Sequence, residues 1–238
     1  YGAGTNRLSA ESKGRSYMDK KELKRHDLVF ISKEGKDKIW NELSKRYSED
    51  AIQLVTDIFK GNNDIPGFAR RSEKRDDAEA VGFVHYRRIN GNRLRIPAFV
   101  DDPDIVMIMT PYEIMQRKAF TVEESSKCIK TVIELYVLAT SMDLHVGILG
   151  SAALELATGL PYTDEASDID LLIKPAPYDK LLEFYRTAKE NFSGINMDFE
   201  LDLPNGCGVK LAEVFMNTQT LLGKSMDCLL YTSDAADE

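Results

Sequence analysis

Two short stretches carry the residue types from which a reaction can be built. Gly150-Ser151 follows an apolar run, His145–Leu149, and precedes a helical one, Ala152–Thr158. A glycine there lets backbone approach a ligand closely, and a helix start offers unpaired N–H groups that favour an anion such as phosphate. The Ser151 hydroxyl adds a donor. Further on comes Ser167-Asp168-Ile169-Asp170-Leu171-Leu172-Ile173. Asp168–Ile173 reads as a strand, on which Asp168 and Asp170 project from one face, because the side-chain period is two. Adjacent carboxylates repel unless a cation lies between them. Mg²⁺, a hard ion, commonly takes one or two carboxylates and completes its shell with substrate phosphates.

Each piece alone is weak. Gly-Ser is a common turn, and Asp-x-Asp is commonly a solvated strand edge. Their order carries the information: strand, Gly-Ser, helix, Asp-x-Asp strand, helix, acid-bearing strand. The last of these, Ile195–Leu203, alternates Ile195, Met197, Phe199 and Leu201 on one face with Asn196, Asp198, Glu200 and Asp202 on the other.

The elements that must hold these residues are legible in the apolar spacing. Leu28–Ile31 reads as a strand, Lys36–Tyr47 as a helix, and Ser48 as the cap of a helix that runs to about Lys60 and stops at Gly61. Ala80–Tyr86 and Asn92–Val100 flank Asn90-Gly91, a hairpin signal. Ile105–Met109 is a strand, and Pro111 opens a short helix. Thr121–Glu124 has capping-box spacing and opens a helix to about Met142, with Ile129, Val132, Ile133, Tyr136, Val137 and Thr140 as its buried stripe. Tyr178–Asn191 is helical, with Leu181, Leu182, Phe184, Tyr185 and Ala188 inward. Trp40, Met107 and Met109 read as core. The fold class is α+β.

Composition limits what the chain does. Of 238 residues, 31 are Lys or Arg and 39 Asp or Glu, giving net charge -8. That balance argues against general nucleic-acid binding, which needs clustered cations. No apolar run reaches the roughly 18–20 residues that span a bilayer. Cys128, Cys207 and Cys228 are too scattered for a disulfide framework or a zinc site. The expectation is a cytoplasmic protein. Residues 1–17 read as a non-native or disordered leader, 18–115 as an N-terminal α+β domain, 116–227 as a second domain, and 228–238 as an adapter-derived tail.

Gly150-Ser151, Asp168-x-Asp170 and a third strand acid together resemble the nucleotidyltransferase superfamily signature. The closer resemblance is to the holo-acyl-carrier-protein synthases of malonate decarboxylase, the phosphoribosyl-dephospho-CoA transferases. It rests on Arg25-His-Asp-Leu28, Arg70-Arg71, Val81-Gly-Phe83, Gly91-Asn-Arg-Leu-Arg-Ile96, Ala98-Phe-Val100, Thr110-Pro111, Gly150-Ser151, Leu156-x-Thr158-Gly-Leu160, Ser167–Leu172, Asp198, Pro204-x-Gly206, Leu211-Ala-Glu213 and Leu222-Gly-Lys224. One departure is Gly67-Phe-Ala69, where the family tends to be valine-rich.

The resemblance implies a mixed α/β half followed by a nucleotidyltransferase-like domain, a small mixed sheet flanked by helices. It implies transfer of 2'-(5-triphosphoribosyl)-3'-dephospho-CoA to a serine of the apo acyl carrier subunit, with release of pyrophosphate. Two Mg²⁺ ions would be held by Asp168, Asp170 and Asp198, with Glu200 the alternative third ligand. Gly150 and Ser151 would cradle the triphosphate. Arg93 and Arg95 share a strand face, which suits either donor phosphates or a solvated surface. Of Arg70 and Arg71 only one can face a site, and Lys224 is a weaker candidate. No nucleic acid or membrane is implied. Alternatives are a transferase using an ordinary nucleotide on a small molecule or another protein, and a non-catalytic nucleotide-binding module. The carrier could also belong to citrate lyase.

Overall fold

The computed structural model describes residues 23–71, 77–117, 126–216, 220–225 and 229–233. They form an α+β fold on two sheets. The first sheet contains β1 (Leu28–Ile31), β2 (Gly67–Ala69), β3 (Ala78–Ile89), β4 (Asn92–Asp101) and β5 (Ile105–Met109) in the order β4-β3-β2-β1-β5, all antiparallel. Helices α1 (Lys33–Leu43) and α2 (Glu49–Phe59) cover one face.

Why β1 reads as an unbroken apolar run is explained by its position. All four residues are buried. Val29 and Ile31 pack beneath α1 and α2, while Leu28 and Phe30 enter the core of the second sheet. A strand buried on both faces loses the polar half of its alternation.

The β3–β4 hairpin forms where Asn90-Gly91 places it, with both residues at positive φ, 50° and 78°. That is the requirement of the tight turn whose twist matches the strands. Helix α1 starts earlier than its apolar spacing suggests, at Lys33, because Ser32 Oγ accepts a hydrogen bond from Gly35 N at 3.0 Å. Ser48 is the cap residue of α2, but its side chain makes no capping hydrogen bond.

Helix α3 (Pro111–Met115) opens with a capping box between Thr110 and Glu113. After it come α4 (Lys127–Ser141), β6 (Val146–Ile148), α5 (Gly150–Thr158), β7 (Ile169–Ile173), α6 (Tyr178–Asn191), β8 (Met197–Asp202), β9 (Gly208–Lys210), α7 (Leu211–Phe215), β10 (Thr220–Lys224) and β11 (Leu229–Ser233). The second sheet runs β11-β10-β9-β8-β7-β6. Its one parallel pair, β7 with β8, needs a crossover, and α6 supplies it.

Two expectations are corrected. The buried stripe of α4 is Cys128, Ile129, Thr131, Val132, Leu135 and Ala139, while Val137 is 62% exposed and Thr140 is exposed. Ile129 and Val132 lie in it as expected, and Cys128, Thr131 and Ala139 are small or weakly polar residues that apolar counting undervalues. Ser126 caps this helix through Ile129 N at 3.1 Å; Thr121–Glu124 lie outside the described residues. Met107, expected in the core, is 41% exposed, because β5 is an edge strand and Val106 beside it is exposed as well.

Candidate active site

A cavity of about 650 Å³ opens between the two sheets. One wall comes from the first sheet, where Phe68, Arg70, Gly82, Val84, Arg93, Arg95 and Pro97 line it; the other brings Leu149, Gly150, Ser151, Leu154, Asp170, Asp198 and Glu200. Of the eight residues Gly150, Ser151, Arg93, Arg95, Asp168, Asp170, Asp198 and Glu200, seven therefore meet in one space. The eighth, Asp168, is exposed and is not among the lining residues. Strand β7 begins one residue later, at Ile169, so the alternation that was to align Asp168 with Asp170 does not reach it.

The anion-seeking corner is built by the turn from β6 into α5. Gly150 has φ +64°, which L side chains rarely adopt. A Cβ there would stand 2.8 Å from Asp170 Oδ2. Leu149, the cap residue of α5, provides no side-chain hydrogen bond, and no acid occupies the first turn. The amide groups at this helix start are thus left for another acceptor. Gly150→Ala should push the Asp170 carboxylate aside and add backbone strain of about 1–2 kcal/mol. A lowered melting temperature together with weaker binding of inorganic tripolyphosphate by calorimetry is the expected result.

The acids meet by register. Parallel pairing of β7 with β8 sets Asp170 opposite Asp198. Burial, then the charges of Asp198, Asp168 and Glu200, push the Asp170 carboxyl up to about 6. Asp198 Oδ2 is held by Lys210 Nζ at 2.7 Å.

Glu200, two residues along the same face, has a different setting. Arg25 grips it with two bonds, Nη1 to Oε2 at 2.6 Å and Nη2 to Oε1 at 3.2 Å. His26 Nε2 lies 3.6 Å from Oε2 and Lys224 Nζ 4.0 Å from Oε1. Burial alone would raise its pKa, but the neighbouring His26 and the bonds from Arg25 outweigh it and hold the carboxyl down to about 2. Of these partners the bidentate guanidinium dominates, because burial and Arg25 itself disfavour a charged His26.

The basic wall is held just as specifically. Arg93 Nη2 donates to the carbonyl of Tyr162, and its guanidinium lies 5.6 Å from the Tyr162 ring centroid. Its other nitrogen, Nη1, is buried and lacks a hydrogen-bond partner. Burial and neighbouring Arg88 lower the Arg93 pKa. Tyr162 is itself fully buried, and its hydroxyl donates to Val84 O at 2.9 Å, tying the loop before β7 to the first sheet. Of the adjacent arginines, Arg70 faces the cavity, and Arg71 turns to Ser225 O at 2.7 Å.

Among the described residues, no group of three or more His, Cys, Asp or Glu side chains is arranged to hold a metal ion. The donor set nonetheless suits a hard divalent cation, since two paired oxygen ligands with phosphates completing the shell is a usual magnesium arrangement. The raised proton affinity of Asp170 signals a carboxylate short of positive charge.

Sequence reading did not find Arg25, His26 or Lys210 as site residues. Arg25 reaches Glu200 across 175 positions, which no local pattern reveals. Lys210 was more accessible: Asn205-Gly206 turns β8 into β9 and sets Lys210 opposite Glu200.

The family model of the phosphoribosyl-dephospho-CoA transferase MdcG C-terminal domain matches residues 114–235, just over half of the chain. No curated protein and no solved structure matches. No helix among the described residues is long and apolar enough to cross a membrane.

Proposed function

The chain belongs to the phosphoribosyl-dephospho-CoA transferase family, and on that footing we propose that it is a cytoplasmic nucleotidyltransferase that modifies an acyl carrier protein. The donor is 2'-(5-triphosphoribosyl)-3'-dephospho-CoA, and the acceptor is a serine hydroxyl of the apo carrier subunit of malonate decarboxylase. The observation that carries this reading is the Asp170–Asp198 pair beside the uncapped start of α5 and across the cavity from the arginine wall.

The serine oxygen attacks the α-phosphorus. A new P–O bond forms, the bond to the β-phosphate oxygen breaks, and pyrophosphate leaves. Such transfer depends mainly on positioning and charge neutralisation. Gly150 and Ser151 receive the triphosphate at the helix start. Arg93 offers Nη1 to a phosphate oxygen, and Arg95 adds a second guanidinium on the same wall. Asp198, with 38% of its side chain exposed, is reachable by a protein acceptor and takes the serine proton. Asp170 and Asp198 would hold magnesium, which supplies Lewis-acid neutralisation of the phosphate oxygens. Asp168 contributes negative field from beside the pair. Glu200 serves as the anchor of Arg25.

Intact-mass measurement tests the proposal. With donor and Mg²⁺, an apo carrier should gain the donor mass less pyrophosphate, and a carrier lacking the serine should gain nothing. Labelling from ATP or CTP in place of the CoA-derived donor would favour the ordinary-nucleotide reading.

A further inference from the structure

One charge bonded to the acid wall of the cavity is unexplained by the family's chemistry as set out above. Lys210 ends β9, and the antiparallel register places it opposite Glu200. Its ammonium bypasses Glu200, which Arg25 already holds, and bonds Asp198 at 2.7 Å. Both partners are accessible, with 40% of the lysine side chain and 38% of the aspartate side chain exposed. Lys210 also exerts its charge on Asp170, where it opposes the acids that surround that carboxyl. A lysine on a flexible four-carbon stem is a mobile point charge, unlike the bidentate Arg25–Glu200 clamp.

Taking Asp170 and Asp198 as the metal-holding pair of the proposed reaction, we propose that Lys210 is their resident counter-ion. It occupies Asp198 while the site has no donor, and exchanges onto a phosphate oxygen when a polyphosphate arrives with its divalent cation. The exchange conserves charge: one ammonium leaves a carboxylate for a phosphate as the metal takes its place. No bond is made or broken. Its consequence is ordering. A bare divalent cation must displace a bonded ammonium, whereas a cation delivered on a polyphosphate brings the anion to which that ammonium can move. Metal alone therefore binds weakly, and metal with polyphosphate binds cooperatively.

Calorimetric titration of the full chain tests this with two probes, Mn²⁺ alone and the Mg²⁺ complex of inorganic tripolyphosphate. In Lys210→Met, Mn²⁺ alone should bind on the order of tenfold tighter than in the unsubstituted protein, because no ammonium competes. The tripolyphosphate complex should bind on the order of tenfold weaker, because a phosphate contact is gone. Lys210→Arg should restore both values toward the original. Lys210→Gln gives the same comparison should the methionine variant fold poorly by circular dichroism. Shifts of the two probes in the same direction, or an unchanged Mn²⁺ affinity, overturn the counter-ion role and leave the acid pair standing as a metal site. If the unsubstituted protein binds neither Mn²⁺ nor the tripolyphosphate complex, the metal-holding pair itself is overturned, and the inference falls with it.

Discussion

Asp170→Asn is expected to make the protein more stable and catalytically inert. The Asp170 carboxyl binds its proton more tightly in the folded chain, at about 6, than at its ordinary value of 3.8, because burial and three neighbouring carboxylates oppose the charge. The sign follows from linkage. Below about pH 4 the group is protonated in both states and imposes no penalty. As the pH rises toward 6 the unfolded chain releases its proton first and stability falls; above 6 the full penalty remains. A neutral isostere removes it, a gain of about 1–3 kcal/mol at neutral pH after allowing for partial solvation. That corresponds to a melting point raised by about 2–10 °C. The gain should vanish near pH 4, which separates it from generic packing effects. Transfer activity should fall on the order of 10²–10³-fold or more. In the unsubstituted enzyme, activity should decline as pH drops through about 6, with magnesium moving that midpoint lower. Paired thermal melts and carrier-modification rates check both halves. Retained activity removes Asp170 from the site; a lowered melting point means that its charge is compensated.

Glu200→Gln is expected to do nearly the reverse. It leaves the shape of the side chain but strips the charge from a bidentate pair in which Glu200 is only 11% exposed and Arg25 25%. Removing one partner of a buried pair leaves the other uncompensated, at a cost of about 2–4 kcal/mol. The carboxyl is held at about 2 against an ordinary 4.5. The stabilisation it brings is thus complete above about 4.5 and lost as pH falls toward 2. Urea titrations of the two proteins should differ most near neutrality and converge in acid. Mn²⁺ affinity should be unchanged, because Glu200 serves Arg25. A collapse of that affinity would restore Glu200 as a metal ligand.

The contrast between these carboxylates explains what the sequence could and could not show. Alternation along β8 put Asp198 and Glu200 on one face, and the apolar residues between them fixed which face that was. Nothing in the alternation separates a strained acid from a satisfied one. That distinction rests on Arg25, which arrives from before β1, and on Lys210, set by the register of a hairpin. The Asn90-Gly91 turn, the Pro111 helix start and the Gly150 bend were legible because local backbone geometry demands those residues. The extent of β7 was not: one residue decided whether Asp168 would share the cavity, and strand ends are set by the neighbouring strand. The α4 stripe was legible at Ile129 and Val132 but missed Cys128, Thr131 and Ala139, which are buried by what packs on them rather than by their own hydropathy.

The cavity has one wall from each sheet, with Arg70, Arg93 and Arg95 on one side and Gly150, Asp170 and Asp198 on the other. A donor that touches both acts as a crosslink, so its binding energy opposes every motion that parts the sheets. Saturating donor at 100 times its dissociation constant adds about 2.7 kcal/mol against unfolding. Hydrogen exchange in β3 and β4 should then slow together with exchange in β7 and β8. Occupancy thereby fuses two layers into a single melting unit, and in the reaction proposed above the departure of the leaving group would loosen the seam between them.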